Sequence, residues 1–73
     1  MDAKLINEIG SLAYTTNFFA GSIKSIDDGV KVHSYNPSTG YSTDNQEEIR
    51  NDNLETFIRV AKRLKDLLNT IEL

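Results

Sequence analysis

The chain has no cysteine, one histidine, one proline and one methionine among its 73 residues. Without cysteine there is neither a disulfide nor a thiolate metal site to hold a small fold together. A single histidine excludes a His-rich metal site within one chain. No cofactor motif is present. No segment approaches the roughly 20 apolar residues of a membrane span. The start, MDAKLINEIG, carries an acid at position 2 and no long apolar run, so it does not read as a secretory signal. These absences point to a soluble, cytoplasmic protein with no membrane partner.

Net charge is also small. Eight basic residues stand against eleven acidic ones, for a formal charge of −3. That bias suits solubility and argues against direct nucleic-acid binding, which calls for a basic stripe. A chain below roughly 70–80 residues rarely builds a core worth more than a few kcal/mol. With disulfides and metal excluded, oligomerisation is the remaining staple for this single domain, residues 1–73.

What is present is helical periodicity. Leu5, Ile9, Leu12, Thr16, Phe19, Ile23 and Ile26 recur at alternating steps of four and three. This is a coiled-coil-like seam with Thr16 as its one polar member. Ile6, Ala13, Phe18 and Ala20 widen it. Asp2 suits the helix start as a cap or first-turn acid. Phe57, Ala61, Leu64, Leu68 and Ile71 repeat the pattern, flanked by Leu54, Ile58, Val60 and Leu67. Thr43 with Gln46, or Asp44 with Glu47, has capping-box spacing. Acids early in this segment and bases late suit the helix dipole, and Glu55 with Arg59 is a well-oriented pair. The spacing predicts helix 1 over about 2–27, a connector over 28–43 and helix 2 over about 44–72.

Two readings compete for the end of helix 1. Asp27 and Asp28 sit badly at a helix C-terminus, yet Gly29 is well placed to follow one. Alternatively, SIKSI-DDG-VKVHSY is a hairpin with Asp-Gly in its turn, which would make the fold α-β-β-α. In the connector, Val30, Val32 and Ser34 alternate with Lys31, His33 and Tyr35, as in a short extended segment. NPSTG supplies turn chemistry through Pro37 and Gly40. Tyr35 and Tyr41 flank that turn and could pair across it. The expected fold is therefore mainly α. Two long amphipathic helices form an antiparallel hairpin, joined by a turn-rich connector with a short β-ribbon, and oligomerise into a bundle.

Assembly follows from surplus. Ile6, Phe18, Ile58, Val60 and Leu67 lie off the seams, and leaving each wet forgoes roughly 1.5–3 kcal/mol. Two hairpins in a four-helix bundle would bury them. Gly10, Ala13, Asn17 and Ala20 add a stripe of small residues beside the seam. They are either tolerated at the surface or present for close helix approach. Gly10 costs about 1 kcal/mol relative to alanine within a helix, which favours a packing reason.

Candidates for chemistry are few. DNQEEIRNDNLE, residues 44–55, has acids at the first and last positions of a calcium loop. However, Ile49 stands where that loop needs glycine, so the segment reads as a solvated helix start. His33 could act as a base or switch, but no serine or cysteine stands in a recognisable frame, Ser34 being merely adjacent. Proline in the middle of Asn36-Pro37-Ser38 blocks the glycosylation sequon. Arg59, Lys62 and Arg63 share a helical face. They form either a balanced surface or an anion grip. Asp44, Glu47 and Glu48 form the opposite, acidic lure.

The expectation is a non-enzymatic, cofactor-free, acidic homo-oligomer that binds and inhibits or regulates a larger protein. A compact accessory protein of a phage or mobile element has this profile. The contact surface would involve His33, Tyr35, Tyr41, Asp44, Glu47 and Glu48. The alternative is a ligand-sequestering oligomer. In it, Arg59, Lys62 and Arg63 from several chains, with Tyr35 or Tyr41 stacking, would hold a nucleotide or other small anion.

Overall fold

A computed structural model describes residues 2–71. Helix α1 (Ala3–Asp27) runs up, a ribbon of β1 (Ser34–Asn36) and β2 (Tyr41–Thr43) turns the chain, and helix α2 (Gln46–Leu68) runs back. The molecule is a flat hairpin, 44 × 28 × 14 Å, with one helix-to-helix seam.

Asp2 caps α1, its carboxylate accepting the Lys4 N–H at 3.0 Å. The helix continues through Ile26 to Asp27, so the hairpin reading of residues 22–35 does not hold. The reason is a tight C-terminal wrap. Gly29 N–H donates to the Ile26 carbonyl at 3.0 Å and Val30 N–H to the Ser25 carbonyl at 2.9 Å. That pair of bonds needs left-handed backbone between them, and Gly29 supplies it with φ of 91°. The two acids at this end are each neutralised. Asp28 takes Lys24, and Asp27 takes Arg50 from α2.

The helices meet along the predicted residues, all at least half-buried on α1. Thr16 spends its hydroxyl on the Leu12 carbonyl of its own helix, at 2.7 Å, so it brings no unpaired polar group into the seam. On α2 the phase differs from the heptad reading. Leu67, expected on the flank, is 9% exposed, whereas Leu68, expected in the seam, is 47% exposed. Leu67 stands five whole turns of about 3.6 residues beyond Ile49 and so shares its buried face, while Leu68 lies about 100° round from it. Val60 is half-buried, while Ile58 lies outside. The most buried of the described residues is Ile49, 5% exposed, at the foot of α2 among acids.

Helix 2 is also shorter than expected, beginning at Gln46 and ending at Leu68. Its cap is Asn45, whose side-chain oxygen accepts the Glu48 N–H at 3.0 Å. Neither Thr43 nor Asp44 caps it, because the Thr43 hydroxyl takes the Asn45 N–H and the Asp44 carboxylate takes His33. Expected helix beyond residue 71 lies outside the described residues.

Among the described residues only Ile49 and Leu67 are buried, and neither is fully so. The accessible surface is 5597 Å². A compact monomer of this mass exposes about 4,500 Å². The radius of gyration, 14.9 Å, likewise exceeds the roughly 11 Å of a compact chain of this length.

Candidate functional site

The chemistry gathers where the ribbon meets the foot of α2. The ribbon is antiparallel, pairing Ser34 with Thr43, Tyr35 with Ser42 and Asn36 with Tyr41. Its turn is built as the residues suggest. Gly40 has φ of 73°, and its N–H donates to the Asn36 carbonyl at 2.8 Å. The Asn36 side chain accepts the Ser38 N–H at 2.9 Å. Tyr35 and Tyr41 do not pair across this turn. Tyr35 stands opposite Ser42, so the two phenols point to opposite faces of the ribbon.

One face carries His33, Tyr35, Ser42 and Asp44. The register places Asp44 directly across from His33 and Ser42 on its diagonal. His33 Nδ1 lies 2.5 Å from Asp44 Oδ1, and Nε2 lies 3.0 Å from Ser42 Oγ. A carboxylate only accepts, so Nδ1 carries the hydrogen toward Asp44, and Nε2 accepts from the Ser42 hydroxyl in the neutral ring. The order serine, histidine, aspartate is that of a nucleophilic relay. Here, however, the Asp44 side chain is 82% exposed. Water screens a charge so placed, and the relay gains little from it. Its evident work is to tie β1 to β2. The serine that meets His33 is thus Ser42, not the adjacent Ser34. Only the strand register, which periodicity did not supply, could have revealed it.

The other face turns toward α2. The Tyr41 hydroxyl donates to Glu48 Oε1 at 2.7 Å. This bond to Glu48 holds the phenol above its ordinary value of 10.0, with desolvation adding to the rise. Gln46 fastens the extended segment before β1. Its carboxamide accepts from Val32 N–H at 3.0 Å and donates to the Val32 carbonyl at 2.7 Å. It thereby copies the two-bond pattern of a strand neighbour.

Around the foot of α2, Asn45, Glu47, Glu48, Asn51 and Asp52 line an open depression of about 390 Å³. Acids here suit the helix dipole, which accounts for their stability but leaves them facing solvent. The structure thus brings together His33, Tyr41, Asp44, Glu47 and Glu48, with Tyr35 nearby. It does not bring Arg59, Lys62 and Arg63 to them. These stand further along α2, Arg59 about 20 Å from its start at 1.5 Å per residue. Arg63 is bound to Glu8 of α1 at 3.1 Å. Within one chain, therefore, the tyrosines cannot stack on an anion held by that basic face.

Set against known proteins, the chain matches no family model, no curated protein and no solved structure.

Proposed function

We propose that this chain is a small acidic oligomeric interaction protein whose connector end docks on a basic surface of a larger protein and inhibits or regulates it. The observation that carries this reading is the pairing of exposed aromatics with an acidic hollow. Tyr41 stands exposed on the ribbon and bonded to Glu48, beside Glu47 and Asp52 at the foot of α2, and Tyr35 stands exposed on the ribbon's other face. Tyrosine offers large contact area at low entropy cost and is enriched at interfaces. Carboxylates around it steer a basic partner and fix its register. The connector is longer than the roughly 2–8 residues needed to reverse two helices, and loops held by rigid elements commonly carry function. The chain's size and acidity suit an accessory protein of a phage or other mobile element.

The test is retention of a partner from an extract of the native host. The immobilised chain should hold a larger basic protein. The variant Tyr35→Ala should weaken retention with the melt and the oligomer mass unchanged, whereas Tyr41→Ala also removes the bond to Glu48 and should lower the melt as well. If the stability of Tyr35→Ala falls in step with retention, that tyrosine is structural and the surface reading fails. A nucleotide that raises the melting temperature would support the ligand-sequestering alternative instead, since stability climbs with ligand over Kd.

A further inference from the structure

The outer side of α1, turned away from α2, is apolar. Ile6, Gly10, Ala13, Tyr14, Asn17, Phe18 and Gly21 follow one another at helical spacing, and every one is exposed. Tyr14 is 75% exposed, on a helix that contains no charged residue from 9 to 23. A helix apolar on nearly all sides is ordinarily a buried one. Two glycines interrupt it, and a Cβ added to Gly10 or Gly21 would meet nothing within 4 Å in the chain. Nothing inside the hairpin therefore requires either glycine.

We infer that this face packs against the same face of a second copy, the two α1 helices antiparallel about a two-fold axis beside Ala13 and Tyr14. The inference rests on the oligomeric reading above and gives it a specific geometry. Antiparallel pairing about that point sets Phe18 of one copy over Gly10 of the other. The same register sets Ile6 opposite Ser22, next to Gly21, and Tyr14 beside its own symmetry mate. Each large side chain off the axis thus meets a small residue or none, and the helices can approach to the short end of the 8–10 Å range. Ile6, Asn7, Gly10, Ser11, Tyr14 and Thr15 already enclose an open groove of about 590 Å³ for the incoming side chain.

Two further observations favour a copy of this chain over a different partner. An isologous contact brings a patch against itself, so a charge near the axis would meet its like. This face carries none, although 26% of the chain is charged. Away from the axis the N-terminal end of each helix lies beside the C-terminal end of the other, so the two helix dipoles oppose. The area also fits. The chain exposes about 1,000 Å² more than a compact monomer of its mass. A stable interface removes about 800 Å² from each partner.

Cysteine cross-linking tests the register on a chain that has no cysteine of its own. Under mild oxidation, Tyr14→Cys should link to itself. An equimolar mixture of Gly10→Cys and Phe18→Cys should give the mixed dimer in preference to either self-linked one. Gly10→Leu, which the hairpin accommodates, should keep the wild-type helical signal and weaken dimerisation at least ten-fold by sedimentation. A dimeric wild type in which Gly10→Cys links only to itself, or in which Gly10→Leu stays dimeric, overturns this interface and leaves the oligomeric reading standing. A wild type that sediments as a monomer at tens of micromolar overturns both.

Discussion

Arg50 grips Asp27 across the hairpin with two hydrogen bonds, Nε to Oδ1 at 2.7 Å and Nη2 to Oδ2 at 3.2 Å. The first of these holds the Asp27 carboxyl below its ordinary 3.8, and the positive charge of Arg50 adds to the effect. A carboxyl with a lowered value in the fold contributes stability above pH 3.8. That contribution is lost as pH falls through the lowered value. Asp27→Asn should therefore lower the melting temperature at neutral pH and close the gap to wild type in acid. A gap that stays constant from neutral pH down to pH 2 would show that the pair contributes nothing through charge.

Tyr41 gives the opposite limb. Its phenol is held above 10.0 by donating to Glu48, so the contribution is complete below that value and lost as pH rises through the raised one. Ultraviolet titration of wild type minus Tyr41→Phe should isolate a phenol that ionises above pH 10. Glu48→Gln should bring that ionisation down. A difference titration centred at or below 10 in wild type would refute the bond.

Neighbours at the end of α2 should behave differently. Leu67→Ala removes a buried side chain and should cost about 2–5 kcal/mol. Leu68→Ala, on the solvent side, should stay within about 0.5 kcal/mol in the isolated hairpin. Chemical denaturation of the two variants side by side settles the phase of the helix. Equal losses would restore the heptad assignment.

Among the described residues, no group of three or more His, Cys, Asp or Glu side chains is placed to hold a metal ion. Circular dichroism and the thermal melt should be the same with and without chelator. A large loss of helix in chelator would reveal a site shared between chains, with His33 its natural ligand.

The frame of this molecule was legible because it is local. Asp2, Gly29 and Gly40 act through their own backbone neighbourhoods, and the four-and-three spacing on α1 survives intact in the seam. What escaped depends on phase and register. Leu67 and Leu68 are adjacent, and a heptad count anchored on Phe57 picks Leu68, whereas the buried face is the one Leu67 shares with Ile49. Ile49 hides among polar and acidic neighbours, none of them apolar, so no hydrophobic spacing marks it. Asn45 displaced the more obvious caps because Thr43 and Asp44 were already committed, Thr43 Oγ1 to the Asn45 N–H at 3.1 Å and Asp44 to His33. Within the candidate site, His33, Tyr41, Asp44 and Glu48 were nameable by type. Their partners, Ser42 above all, needed strand pairing that three-residue strands do not advertise.

The Gln46 carboxamide has one more consequence. It is the second side of Val32's backbone pairing, yet it belongs to the first turn of α2. The Val32 amide can exchange its hydrogen with solvent only when that side chain lets go. Its exchange rate in heavy water is thus a gauge of how often the foot of α2 opens. A protein that grips its partner there would slow this single amide upon binding, and the slowing would measure, at one backbone position, how firmly the docked surface is held closed.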